Sequence, residues 1–190
     1  MRKGKAIFLI LLKLGVAILL CLSAQKSWAG LHFYQGYQAF KKKEFAHAAN
    51  AFERALKYDL SNPELIDFWI QSAWRLGVES QNRAWLETAA VFSGKLNRQM
   101  PYFGRAWLYR AVSQYYLKRL SGEEIKAEEW QEIKSFIRKA YQGEPGSAWM
   151  NYMAAKWLLS EPQFLSPDEK QQGLEWMKKS LSLHYTNQIS

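Results

Sequence analysis

Apolar residues run almost unbroken from Ala6 to Leu22, with Lys13 the only charge among them. Beyond residue 30 the pattern changes. Apolar side chains recur every three or four positions, the spacing that lines one face of a helix. Val and Ile are few there and no Asn-Gly or Asp-Gly turn occurs, so strand and hairpin signals are scarce. The periodicity predicts eight helices, over residues 31–42, 45–59, 63–77, 81–93, 102–119, 122–141, 147–160 and 167–184. Ser61-Asn62-Pro63 supplies a cap followed by a first-turn proline. Gly77 suits a helix C-terminus. Ser121 before Gly122-Glu123-Glu124 reads as a capping box. Gly143-Glu144-Pro145-Gly146 reads as a turn, and Ser166-Pro167-Asp168-Glu169 as another helix start. The links are short, so consecutive helices are expected to pack as antiparallel hairpins.

The first 29 residues form a separate segment. Arg2, Lys3 and Lys5 precede the apolar run, and Ser27-Trp28-Ala29 places small residues at −3 and −1 of a cut before Gly30. That is the layout of a secretory signal peptide. The other reading is an uncleaved inner-membrane anchor. Lys13 would be costly near a bilayer centre, and the run is shorter than the roughly 20 residues a span needs. Cys21 follows Leu20, not the small residue that lipoprotein processing requires. The expected compartment is therefore the periplasm of a Gram-negative bacterium, or the outer face of its inner membrane.

The spacing Ala48-x3-Phe52-x2-Ala55, with Gly36 on the preceding helix and Phe45 and Asp59 at either end of the second, resembles a tetratricopeptide repeat. Small residues allow two helices to approach and the aromatic fills the gap to the next hairpin. The likeness weakens along the chain. Leu76-Gly77, Ala84 and Ala89 fit loosely. Ala106-Trp107 and Ala148-Trp149 echo one another at a spacing of 42 residues where 34 is usual, and Lys43 stands where a turn glycine is expected. The resemblance implies an all-α fold over residues 30–190, an α-solenoid of about four hairpins. It also implies that first helices line a concave groove. The groove positions would be Phe33, Tyr37, Phe40 and Lys41 in the first hairpin, and Asp67, Gln71, Trp74 and Arg75 in the second. Arg105, Leu108, Val112, Tyr115 and Tyr116 follow in the third, and Met150 and Trp157 in the fourth. Aromatic anchors beside Arg and Lys suit an extended peptide or an amphipathic helix.

Charge changes little in this picture. The chain carries 26 Lys and Arg against 17 Asp and Glu, but five of the positives lie in residues 1–29, which leaves 21 − 17 = +4 for the rest. That balance calls for no nucleic-acid partner. Nothing in the sequence points to a cofactor, and one Cys with three scattered His supplies no metal-ligand spacing. No nucleophile elbow, phosphate loop or zinc-protease motif occurs. Glu79-Ser80 resembles the Glu-Ser pair of goose-type lysozymes and lytic transglycosylases, whose Gly-Leu-Met-Gln-like element is missing here. The acidic cluster Glu123, Glu124, Glu128, Glu129 and Glu132 reads as a solvated helix face. Of the nine Trp, Trp107, Trp149 and Trp176 are expected to fill hairpin interfaces.

The leading expectation is a non-catalytic scaffold or adaptor that binds a peptide or helix of another envelope protein. A peptidoglycan- or carbohydrate-associated module is a second reading, and a wall-cleaving enzyme using Glu79 a third. Membrane contact would come only through residues 1–29, if they stay attached. The first helix, with Phe33, Tyr37 and Phe40, would offer a surface to a partner or to a second copy.

Overall fold

The computed structural model describes the backbone of residues 2–189 and the side chains of residues 12–184. The basic residues Arg2, Lys3 and Lys5 of the predicted leader lie outside the described side chains. Eight α-helices follow one another: α1 (Arg2–Lys41), α2 (Phe45–Leu56), α3 (Pro63–Glu79), α4 (Arg83–Gln99), α5 (Gly104–Leu120), α6 (Ala127–Gly143), α7 (Ala148–Leu158) and α8 (Pro167–Ile189). A 3-10 turn, Pro162–Phe164, precedes α8. No strand occurs among the described residues. The chain divides into two compact units, Met1–Trp69 and Ile70–Ser190, with the division inside α3.

Local chemistry sets most helix starts. The Asn62 side chain accepts from the backbone N–H groups of Glu64 and Leu65, with Pro63 in the first turn. Asn82 caps α4 through Ala84, and Ser147 caps α7 through Met150. At α8 the Ser166 hydroxyl accepts from the Glu169 N–H while the Glu169 carboxylate accepts from the Ser166 N–H, a reciprocal capping box. The expected box at Ser121 does not form. The chain instead runs on outside helix so that Ile125 reaches the core, and α6 begins at Ala127, with Glu129 accepting from the Lys126 N–H. Gly77 does not end α3, which continues to Glu79. Its value is steric, because a Cβ there would stand 2.7 Å from the Leu86 side chain. Lys43, where a glycine was expected, adopts φ of +63° in the turn between α1 and α2.

In the first unit α1 packs along α2. Gly36 makes this approach possible, because a Cβ at that position would sit 2.6 Å from the Phe52 ring, which is wholly buried. Phe68 of α3 then gathers the aromatics. It lies edge-on to Phe33, Tyr37 and Phe40 at centroid distances of 5.7, 5.4 and 5.5 Å, and stacks on Phe52 at 5.7 Å.

In the second unit α4 packs on α5, α5 on α6, α6 on α7 and α7 on α8. The core centres on Trp130, which is fully buried among Leu108, Val112, Ile137, Met150 and Leu158. Trp176 closes its far end, stacked on Tyr141 at 4.2 Å. Trp149, expected in an interface, is 42% exposed, because it lies on the outer side of α7 while Met150 and Ala154 face inward. One buried charge crosses from α6 to α8. The ammonium of Lys134, 2% exposed, lies 2.6 Å from the Glu169 carboxylate, which Arg138 also engages.

Two outcomes follow for stability. In an open helix Gly→Ala adds about 1 kcal/mol, and Gly30→Ala, where a Cβ meets nothing within 4 Å, is expected to stabilise. Gly36→Ala is expected to reverse that sign and cost ~1–3 kcal/mol, since the Phe52 ring must move. Urea denaturation of the two variants measures the contrast. The second outcome concerns acid. Burial alone would raise the Glu169 pKa, but the Lys134 ammonium, the Ser166 N–H and the Arg138 guanidinium outweigh it and hold the group at about 2. A depressed carboxylate stabilises fully above its ordinary value of 4.5, and the contribution is lost as pH falls toward 2. Wild type should therefore lose stability across that window. Glu169→Gln, which leaves Lys134 buried without a counter-charge, should be weaker by about 3–5 kcal/mol at pH 7 and flatter in acid. Equal slopes for the two chains would contradict the assignment.

Candidate binding face

The richest arrangement of functional groups lies in the second unit, where α5 and α7 run side by side. Tyr115 and Tyr116, adjacent on α5, both meet Trp157 of α7 edge-on, at 5.4 and 5.7 Å between centroids. Tyr115 also touches Tyr116 and Trp130. One helical turn beyond Tyr115, Arg119 spans the end of the cluster. Its Nε donates to the Tyr115 hydroxyl at 3.1 Å and its Nη2 donates to Glu161 Oε1 at 2.8 Å. The Tyr115 hydroxyl donates to the same Glu161 oxygen at 2.8 Å, and Gln163 donates to the other oxygen at 2.7 Å.

Glu161 is buried, yet every polar demand it makes is met. Burial pushes the Tyr115 phenol above its ordinary value. The Arg119 hydrogen bond opposes the shift, and Glu161 adds to it. The phenol therefore stays protonated as a donor. Beside this network lies a cavity of about 310 Å³ lined by Arg119, Glu124, Ile125, Glu161, Gln163 and Phe164. The arrangement offers flat rings, one accessible guanidinium and a rigid carboxylate behind it. It can grip a chain segment by ring contact and charge.

The residues expected to line a groove separate into three groups. Tyr115, Tyr116 and Trp157 come together, although Trp157 is only 7% exposed. Gln71 and Trp74 of α3 are half-buried and Arg75 is exposed, its guanidinium 5.6 Å from the Trp74 ring centre, while Trp74 also meets Tyr109 at 5.9 Å. Leu108, Val112 and Met150 are each at most 2% exposed and Asp67 3%. These four give their surface to packing and leave none for a partner. Leu108, Val112 and Met150 belong to the core around Trp130.

In the first unit Phe33, Tyr37 and Phe40 are half-buried around Phe68, and Lys41 is exposed with its ammonium 4.9 Å from the Tyr37 ring centre. The first helix is thus less bare than its sequence suggests, because Phe68 covers these three rings. Arg105 lies away from the Tyr115 cluster. It pairs loosely with Glu144 at 3.7 Å and reaches over exposed Trp149 at 5.6 Å, with exposed Tyr152 one turn further along α7.

Sequence reasoning missed Arg119 and Glu161. The spacing of four between Tyr115 and Arg119 carries a signal, since such pairs meet on a helix face. Glu161 gives none, because it follows the end of α7 and reaches Arg119 across 42 positions. Glu79, the one residue considered for catalysis, is exposed in the last turn of α3. Among the described residues no group of three or more His, Cys, Asp or Glu comes together in a way that could hold a metal ion.

Comparison with solved structures fixes the fold. A thermophilic TPR protein of Thermus thermophilus (TTC0263) superposes with a TM-score of 0.64 at 17% identity, covering 82% of this chain and 74% of that one. The structure described as MamA MSR-1 C2 gives a TM-score of 0.52 at 12% identity, covering 84% of this chain and 78% of the other. No protein-family model and no curated protein matches the chain. The chain has the tetratricopeptide-type, α-solenoid fold that the first repeat resembles.

Proposed function

We propose that the chain is a non-catalytic protein–protein interaction scaffold, exported to the periplasm or held in the cell envelope. Its second unit binds a peptide or helix of a partner on the face formed by Tyr115, Tyr116, Trp157 and Arg119. The observation that carries this reading is the junction of α5 and α7, where Tyr115 and Tyr116 pack edge-on against Trp157 and the buried Glu161 carboxylate fixes the Tyr115 hydroxyl and an accessible guanidinium. Rings locked by their neighbours lose little entropy on binding, and an Arg with one edge already anchored keeps its other donors aimed outward. The tetratricopeptide-type fold supports the same reading, since such scaffolds present their first helices to a ligand.

Export is supported by the apolar, sparsely buried start of α1. A second copy of the chain as partner of the first helix is a narrower version of the scaffold reading. With Phe33, Tyr37 and Phe40 gathered around Phe68, it would have to use the outer side of α1.

The test is capture of partners from envelope extract by tagged protein, in wild type and in the Tyr116→Ala and Arg119→Ala variants. Loss of about 2 kcal/mol at an anchor corresponds to roughly a thirtyfold weaker complex, so bound partner should fall by at least tenfold. Thermal unfolding should move by only a few degrees. A partner retained equally by both variants, or no partner recovered at all, overturns the proposal.

One feature favours a second reading as a carbohydrate-associated module. Trp149 and Tyr152 stand exposed one turn apart on α7 with Arg105 beside them, a platform on which a sugar ring can stack. Titration with soluble cell-wall fragments should then quench tryptophan fluorescence in wild type and not in Trp149→Ala. A flat response in wild type removes the reading.

A further inference from the structure

We propose that residues 1–29 are not removed, and that α1 is one continuous helix whose Ala6–Gln25 part spans a lipid bilayer while Lys26–Lys41 forms the first helix of the first unit. The inference builds on the export part of the function proposed above and concerns how the chain is held once exported.

Three independent observations support it. First, the segment where a cut would fall is part of the fold. α1 is 40 residues long without interruption. Ala29, the residue just before the cut, is 7% exposed. Lys26, Ala29 and Gly30 wall a cavity together with Phe33, Asp59, Asn62 and Leu65 of the same unit. Trp28 meets His32, which in turn stacks on Tyr58 of the α2–α3 turn. A cut there would remove Lys26, Trp28 and Ala29 from these contacts of the first unit. Cutting would also leave Gly30 as a helix start with no cap and a positive amino group at the end of the dipole that disfavours cations.

Second, the described side chains of the preceding stretch, residues 12–28, are all exposed. Leu12, Leu14, Val16, Ile18, Leu19 and Leu20 are each at least half exposed and point to all sides of the axis. A helix that is apolar all round belongs in a core or a membrane, and only 6% of this one's most apolar window is buried. Ala6–Gln25 is about 20 residues, or ~30 Å of helix, the thickness of a bilayer's hydrocarbon. Lys13 is the one adverse residue. A central lysine offsets roughly six leucine-type residues, and the stretch holds twelve Leu, Ile, Val and Phe. Its long stem also lets the ammonium reach toward the basic end.

Third, the residues just after the apolar stretch have the character of a membrane–water boundary. Trp28 and Tyr34 are 52% and 60% exposed, with Leu31 between them and Lys26 just before. Amphipathic rings at this level are what an interfacial belt requires.

The experiment expresses the full chain with a C-terminal tag in a Gram-negative host. The expected product has the intact mass of the uncut chain, stays in the membrane pellet through alkaline carbonate, and loses its tagged domain to protease in spheroplasts but not in intact cells. A product beginning at Gly30, or one released by carbonate, overturns the anchor while leaving the export reading intact. An uncut product protected from protease in spheroplasts, or found in the cytosol, overturns both. Partner capture by the face at Tyr116 is measured separately and does not depend on any of these results.

Discussion

At position 36 the chain has no side chain, and the Phe52 ring occupies the space one would fill. This contact governs the first unit. It lets α1 and α2 lie close enough for Phe52 to be buried on one side by backbone and on the other by Phe68, which then draws Phe33, Tyr37 and Phe40 inward. A hairpin of two amphipathic helices cannot cover its own apolar face. The close approach turns that deficit into a surface that only a further helix satisfies. In the second unit Gly77 against Leu86 uses the same geometry between α3 and α4, and Trp130 fills a separate centre among α5, α6 and α7.

The aromatic residues are therefore of two kinds, and the difference is set by what lies behind them. Phe52 and Trp130 are enclosed on all sides and hold helices together. Tyr115 and Tyr116 are held from behind by Trp157 and keep part of their surface open. Glu161 completes the distinction. It is a buried carboxylate whose oxygens are all occupied by Tyr115, Arg119 and Gln163, so it fixes directions in a cluster that would otherwise rearrange.

Much of this was legible in the sequence, for identifiable reasons. Asn62-Pro63 and Ser166-Pro167 announce helix starts because their chemistry is local. The Gly36–Phe52 contact is legible because it recurs in a known repeat spacing. Leu108, Val112 and Met150 were placed on a groove because a repeat pattern gives a residue's phase around its helix. It does not give the depth at which the next helix lies, and in the third and fourth hairpins that depth puts them in the core. Phe68 covers Phe33, Tyr37 and Phe40 from a third helix, a long-range fact that no window along the first helix contains. Ile125 moved the start of α6 because burying one side chain outweighed a weak cap signal.

The ion pair between Lys134 and Glu169 constrains more than acid stability. With Glu169 gone, Lys134 is a bare charge in an apolar setting, whereas Glu169 without Lys134 still keeps Arg138. With both replaced by apolar side chains of similar size, the helices can still meet. A single change at Glu169 is thus the more costly one, while a joint change remains open. Across descendants of this chain the two positions, 35 apart in sequence, should drift as a unit or stay still together.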